Sequence, residues 1–201
     1  MIEDFCKYNR AVRLIDVNTP LGIVHLAGFE QKPDHRSVIF AILSDYAGFP
    51  VTASDVEESK ENPRPRFPKL DFDVNWTHSV GFCVLAYGER GSLGKLRLGV
   101  DLERFSPKRL HLAERFFSPE EASLVNGLEG ETAEHEFFRL WCRKEAFYKC
   151  VGGDFFEGTL RRNMQKNPLE TSSGKVHFVD LDGSAVGASV PAALCVAVSE
   201  S

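Results

Sequence analysis

Residues 133–151 read AEHEFFRLWCRKEAFYKCV, the longest helical stretch that the chain predicts. Gly152-Gly153 follows directly and ends it, as glycine commonly does at helix C-termini. Residues four apart are neighbours on a helix, so Glu145 and Lys149 share one face with Trp141. As an exposed pair, the two charges would add only about 0.2–0.5 kcal/mol of helix stability. The same placement would also suit a carboxylate and an ammonium in a working site, with Glu145 as an oxygen ligand or base, and spacing does not separate the two readings. Phe137, Phe138, Trp141 and Phe147 read as core.

Upstream, Leu96–Glu103 (LRLGVDLE) alternates like a strand, which puts Asp101 and Glu103 on one face. Two carboxylates converging there can hold a hard cation such as Mg²⁺ together with substrate phosphates. Charged residues at a strand end are more often simply solvated, and Asp55-Val56-Glu57 repeats the spacing in a stretch that reads as a loop. Ser118-Pro-Glu-Glu opens a helix, with an N-cap serine, proline in the first turn and two acids. Lys175–Leu181 and Ala192–Ser199 read as strands.

The first half has a similar order of elements. Ala11–Val17 and Gly22–Phe29 flank Asn-Thr-Pro-Leu as a hairpin, and Asp34–Ala47 is helical up to Gly48-Phe49-Pro50. Residues 51–71, with Pro63, Pro65 and Pro68, read as an exposed connection with at most one short element, and Val80–Gly88 as a buried strand. His78, in Asn75-Trp76-Thr77-His78-Ser79, precedes that strand. Thr77, His78 and Ser79 could donate hydrogen bonds to a phosphate, and Arg36 and Arg64 are further candidate contacts. The common glycine-rich phosphate loops are missing, so a diphosphate would have to be met by metal and scattered basic side chains.

Composition narrows the class. The 201 residues are 43% hydrophobic and 26% charged, ordinary for a soluble globular protein, and a net charge of −5 argues against a nucleic-acid binder. The start, MIEDFCKYNR, lacks the apolar core of a secretory signal, and Phe82–Tyr87 is too short an apolar run to cross a bilayer. Five cysteines without a C-x-x-C pair suit a reducing cytosol, so a cytoplasmic protein is expected. Cys83 and Cys195 read as core.

Four segments, taken in order, carry a resemblance: Asn-Trp-Thr-His-Ser (75–79), Gly-Val-Asp-Leu-Glu (99–103), Arg-Phe-Phe-Ser-Pro-Glu-Glu (115–121) and Phe-Phe-Arg-Leu-Trp-Cys-Arg-Lys-Glu-Ala-Phe-Tyr-Lys (137–149). The chain resembles the 4'-phosphopantetheinyl transferase superfamily, specifically its longer, Sfp-like branch. The match runs over roughly residues 60–153, with an echo at Asp34-His35-Arg36; the first sixty residues match poorly. Thr77 stands where the family usually has serine, and Pro63-Arg64-Pro65 where it has Gly-Lys-Pro.

The resemblance implies an α+β fold of two similar subdomains, residues 1–94 and 95–201, packed as an intramolecular pseudo-dimer with the active site in the cleft between them. It implies Mg²⁺ bound by Asp101, Glu103 and Glu145, with Glu145 also the base and Lys149 assisting the leaving 3',5'-ADP. Arg36, Arg64, Thr77, His78 and Lys149 would contact coenzyme A. The reaction implied is transfer of 4'-phosphopantetheine from coenzyme A to a serine of an apo acyl or peptidyl carrier protein, by a monomer acting without nucleic acid or membrane. Carriers are generally acidic around that serine, and Arg104, Lys108, Arg109, His111 and Arg115 face only Glu114 as an acid, which suggests a docking segment. A non-catalytic binder of coenzyme A or a nucleotide diphosphate, and a Mg²⁺-dependent pyrophosphate hydrolase, are the competing classes.

Overall fold

The computed structural model describes residues 12–59, 62–90 and 96–200; Cys6 and the start of the first predicted strand lie outside them. Strands β1 (Val12–Thr19) and β2 (Gly22–Glu30) form the expected hairpin, followed by helix α1 (His35–Ala47). A 3-10 turn (Ala53–Asp55) leads to the short ribbon β3 (Glu57–Ser59) and β4 (Asn62–Arg66), and then to β5 (Phe72–Ser79) and β6 (Phe82–Glu89). The second half runs β7 (Leu96–Arg104), α2 (Leu112–Phe116), α3 (Pro119–Asn126), α4 (Gly130–Val151), β8 (Leu169–Thr171), β9 (Gly174–Asp182) and β10 (Ala192–Glu200). The fold is α+β, and no helix among the described residues is long and apolar enough to cross a membrane.

The sheets have the orders β1-β2-β6-β5 and β7-β10-β9-β8, antiparallel throughout. Both contain the same unit. A strand leads to a helix and then to a hairpin, and the second hairpin strand pairs back onto the first strand: β2-α1-β5-β6 and β7-α4-β9-β10. This shared topology is why the two halves read alike in the sequence without any visible repeat.

Alternation along the strands sorts the side chains into layers. Val24 and Leu26 of β2, Val84 and Ala86 of β6, Leu98, Val100 and Leu102 of β7, and Leu194, Val196 and Val198 of β10 form one apolar core between the sheets. Helix α1 covers the outer face of the first sheet through Val38, Ile39, Ile42 and Leu43. Helix α4 covers the second through Phe138, Cys142, Ala146 and Cys150, against Ala193, Cys195 and Ala197. The layers therefore run helix, sheet, sheet, helix. Gly99 sets the approach of α4 to β7, because a Cβ there would collide with the Ala146 carbonyl and the Cys150 amide.

The edge strands β5 and β7 meet through side chains. The Leu98 amide donates to Asp73 Oδ2 at 2.7 Å, and the Val100 amide donates to Asn75 Oδ1 at 3.0 Å. Asp73 and Asn75 are 5% and 1% exposed, so these acceptors satisfy β7 donors that water does not reach.

A second polar anchor lies under α4. Lys144 and Glu121 are fully buried and paired at 2.6 Å. Lys144 also donates to the Arg162 carbonyl at 2.6 Å, and Glu121 accepts the Ser118 and Met164 amides at 3.0 and 2.7 Å. The Ser118 cap expected from the sequence is present as a full capping box. Arg143 fastens the same loop, donating to the Met164 carbonyl at 2.8 Å and pairing with Asp180.

Two readings are corrected. The strand expected from Val80 begins at Phe82, because Val80 and Gly81 form a turn with φ of 53° and 77°. The strand before it, β5, was not anticipated. Residues 51–71 carry the β3–β4 ribbon and bury Phe67 and Leu70, so they are not merely an exposed connection. Asp55 is structural: it accepts from the Thr52 amide and from Lys69.

Asn75→Ala should orphan the buried Val100 amide and cost about 1–3 kcal/mol in urea unfolding. A loss no larger than that of an exposed substitution would mean that the seam does not depend on this bond.

Candidate active site

The strand β7 and helix α4 bring together the residues that the sequence singled out. Asp101 and Glu103 lie on the face of β7 that carries Gly99, under α4, and Asp101 is 4% exposed. One helix turn separates Glu145 from Lys149, whose ammonium donates to Asp101 Oδ1 at 2.7 Å and to the Val100 carbonyl at 3.1 Å. It also donates to Thr77 Oγ1 at 3.2 Å, and the Thr77 hydroxyl is 3.2 Å from Asp101 Oδ1. Thr77 comes from β5, so this buried cluster joins the two halves of the chain.

The electrostatics are those of crowded carboxylates. Burial, then the neighbouring charge of Asp101, raises the Glu145 pKa to about 7, with Lys149 opposing and Glu103 adding to the rise. Burial and Asp101 likewise raise the Glu103 pKa, although Arg109 donates to Glu103 Oε2 at 3.0 Å and works against the shift. Burial disfavours the Lys149 ammonium, but Asp101 and Glu145 outweigh it and raise its pKa. Glu145 is thus poised near neutrality, where a general base is most effective.

The donor set suits a hard divalent cation. All three groups are carboxylates, the charge of Asp101 raises the pKa of both Glu103 and Glu145, and Asp101 Oδ2 is buried with no hydrogen-bond partner. Among the described residues, however, no three side chains stand together as a ready-made ligand set. Lys149 and Arg109 hold Asp101 and Glu103 instead.

The remaining candidates flank this centre. His78 is exposed at the end of β5, with its ring 6.1 Å from that of His35 at the start of α1. Arg36 lies over the Trp76 ring at 5.7 Å, on the same side of β5. Thr77 and His78 point to opposite faces of β5, so one strand end serves both the buried cluster and this outer group. Arg64 pairs with Asp73 and donates to the Cys150 carbonyl at 3.4 Å; it lines a cleft of about 380 Å³ with Arg66, Arg90 and Arg97. Arg64, on β4, thus sits against Asp73, four residues along β5 from Thr77, and beside the end of α4. Arg104, Lys108, Arg109 and Arg115 are all exposed, as the docking reading requires.

Sequence reasoning gave no role to Asp73, Asn75 or Lys144, which position the site without entering it. The period of Asp73, Asn75 and Thr77 along one strand was the available signal.

Comparison with known proteins bears on the same region. Residues 97–190 match the family model of the 4'-phosphopantetheinyl transferase superfamily. The chain is 30% identical over 130 residues to the 4'-phosphopantetheinyl transferase Sfp of Bacillus subtilis (strain 168), covering 62% of this chain and 55% of that protein. It is 32% identical over 124 residues to the 4'-phosphopantetheinyl transferase HetI of a Nostoc species, covering 58% and 49%. Over 96 residues it is 34% identical to the 4'-phosphopantetheinyl transferase psf-1 of Bacillus pumilus, covering 47% and 39%. The chain therefore spans about half or less of the length of these relatives. The resemblance drawn from the four motifs is shown by these matches.

Folded Glu145 binds its proton more tightly than the unfolded carboxyl does. Its contribution to stability is complete below the unfolded value and is lost as pH rises through about 7. Glu145→Gln should therefore stabilise the ligand-free protein at about pH 8 by about 1–2 kcal/mol, allowing for partial exposure, and change it little at about pH 4. Thermal unfolding at both pH values checks this, and a gain equal at the two would refute the assignment.

Proposed function

We propose that the chain transfers the 4'-phosphopantetheine group of coenzyme A to a serine of an apo acyl or peptidyl carrier protein, with Mg²⁺, releasing 3',5'-ADP. The observation that carries the proposal is the Asp101–Lys149–Thr77 cluster, with Glu145 poised near neutrality beside it. The relatives' names supply the reaction class, and the geometry supplies groups suited to it.

In this reading Glu145 accepts the proton of the carrier serine hydroxyl, directly or through a water, as the oxygen attacks the β-phosphate. Lys149 meets the charge that develops on the departing 3',5'-ADP. Asp101, Glu103 and Glu145 would hold Mg²⁺, which neutralises pyrophosphate charge without proton movement. His78 and Arg36 would receive the 3'-phosphate end of the nucleotide, and Arg64 would contact it further along β5. In this reading the two halves form an intramolecular pseudo-dimer, with coenzyme A in a cleft between them that groups of both halves would line. A monomer acting in the cytoplasm completes the proposal.

Carrier docking is assigned to the exposed basic run Arg104, Lys108, Arg109, His111 and Arg115, whose nearest acid in the segment, Glu114, accepts from Asn126 at 3.2 Å. Lys108→Glu combined with Arg115→Glu should raise the carrier KM severalfold and leave the coenzyme A KM unchanged. Equal effects on both substrates would remove this docking face.

The decisive experiment is intact mass measurement of an apo carrier protein incubated with the chain, coenzyme A and Mg²⁺. One added phosphopantetheine, abolished by EDTA and by Glu145→Ala, is the expected result. Coenzyme A cleavage without a carrier would favour a pyrophosphate hydrolase, and binding without turnover a non-catalytic binder.

A further inference from the structure

We propose that Arg109 is a tethered stand-in for the divalent cation: its guanidinium occupies Glu103 in the ligand-free protein and must leave that carboxylate for the cation to bind. The inference rests on the reading of Asp101, Glu103 and Glu145 as metal carboxylates.

Two cations of the chain sit on these acids, and they are held very differently. Lys149 is fixed by three acceptors, Asp101, the Val100 carbonyl and Thr77, and its side chain is 19% exposed. Arg109 reaches Glu103 through one nitrogen at 3.0 Å, and its side chain is 46% exposed. It sits at the end of the 3-10 turn Pro107–Arg109, outside β7, where its amide donates to the Ser106 carbonyl at 3.0 Å. An ion pair of this exposure is worth little, so Arg109 can leave at small cost. Lys149 could leave only by giving up all three of these bonds, one of which crosses between the halves to Thr77.

The charge balance points the same way. When the three carboxylates are ionised, Lys149 and Arg109 leave one negative charge uncompensated. Replacing Arg109 by a divalent cation makes the cluster neutral, whereas keeping both would make it positive before any ligand arrives. The lack of a ready-made ligand trio among the described residues fits a site whose Glu103 is engaged elsewhere. Arg109 thus quiets the repulsion among the acids while the cation is absent, and competes with it when it comes.

The test is Mn²⁺ titration of the ligand-free full chain, read by the electron paramagnetic resonance signal of free Mn²⁺, with circular dichroism confirming the fold of each variant. Arg109→Gln should bind Mn²⁺ about three- to tenfold more tightly than the parent chain. Arg104→Gln removes another exposed charge, next to Glu103 in sequence but without an ion pair among the described residues, and should change affinity less than about twofold. Glu103→Gln should weaken binding in either background. Unchanged or weaker binding by Arg109→Gln, with Glu103→Gln still deleterious, overturns the stand-in role and leaves the metal reading intact. An equal gain in Arg104→Gln would reduce the effect to general charge and also overturn it. No Mn²⁺ binding by any variant would overturn the metal reading and this inference together.

Discussion

The seam between β5 and β7 is the constraint on which the rest of the molecule depends. Each strand is the edge of its own sheet, and β7 there presents amides that are buried between the halves. Asp73 and Asn75 accept them, and Thr77, next in the same period, reaches Asp101. One alternating row of polar side chains thereby closes an exposed edge, fixes the register of the two halves and delivers a hydroxyl to the candidate site. Burying Asp73 is costly, and burial does raise its pKa despite Arg64, the Leu98 amide and Arg90. The carboxylate is retained where its removal would leave both a backbone donor and arginine charge unmatched.

The second requirement is that α4 lie close to β7 and at one rotation. Gly99 permits the approach, and the Lys144–Glu121 pair with Arg143–Asp180 holds the helix to the loop beneath it. Neighbouring residues of one motif therefore do unlike work. Lys144 faces inward and anchors, whereas Glu145, one residue on, faces the carboxylates. The pair costs desolvation, and burial lowers the Lys144 pKa against the pull of Glu121. Its return is geometric: a helix free to rotate would carry Glu145 away from Asp101.

What the sequence made legible follows the same division. The helix 133–151 and the strand 96–103 obey their periods, so the face shared by Glu145 and Lys149 and that shared by Asp101 and Glu103 could both be read, and the structure brings those faces together. Strand β5 was missed because its seam-facing residues are polar and buried, which breaks the rule that apolar side chains mark the inside. Val80 misled in the opposite way: a β-branched residue in an apolar run is a strand signal, yet here it occupies a turn at positive φ. Lys144 carried no readable role because its partner Glu121 is remote in sequence. The pairing of Arg109 with Glu103 was invisible for the same reason that it matters, since it depends on how the chain turns after β7.

The family match and the site do not cover the same residues, and the difference is informative. The match runs over residues 97–190 and so contains Asp101, Glu103, Glu145 and Lys149 but not Thr77, Asn75 or Asp73. Yet Lys149 completes its bonding only with Thr77, and β7 satisfies its edge only with Asn75 and Asp73. Contacts to backbone amides ask only for an acceptor at every second position of an adjoining strand, so many sequences can meet that demand. Groups that must meet metal and phosphate are restricted to a few residue types at fixed spacing. Both demands meet at Thr77, which lies in the Asn75–Ser79 motif, takes its place in the alternating polar row of the seam and accepts from the Lys149 ammonium at 3.2 Å.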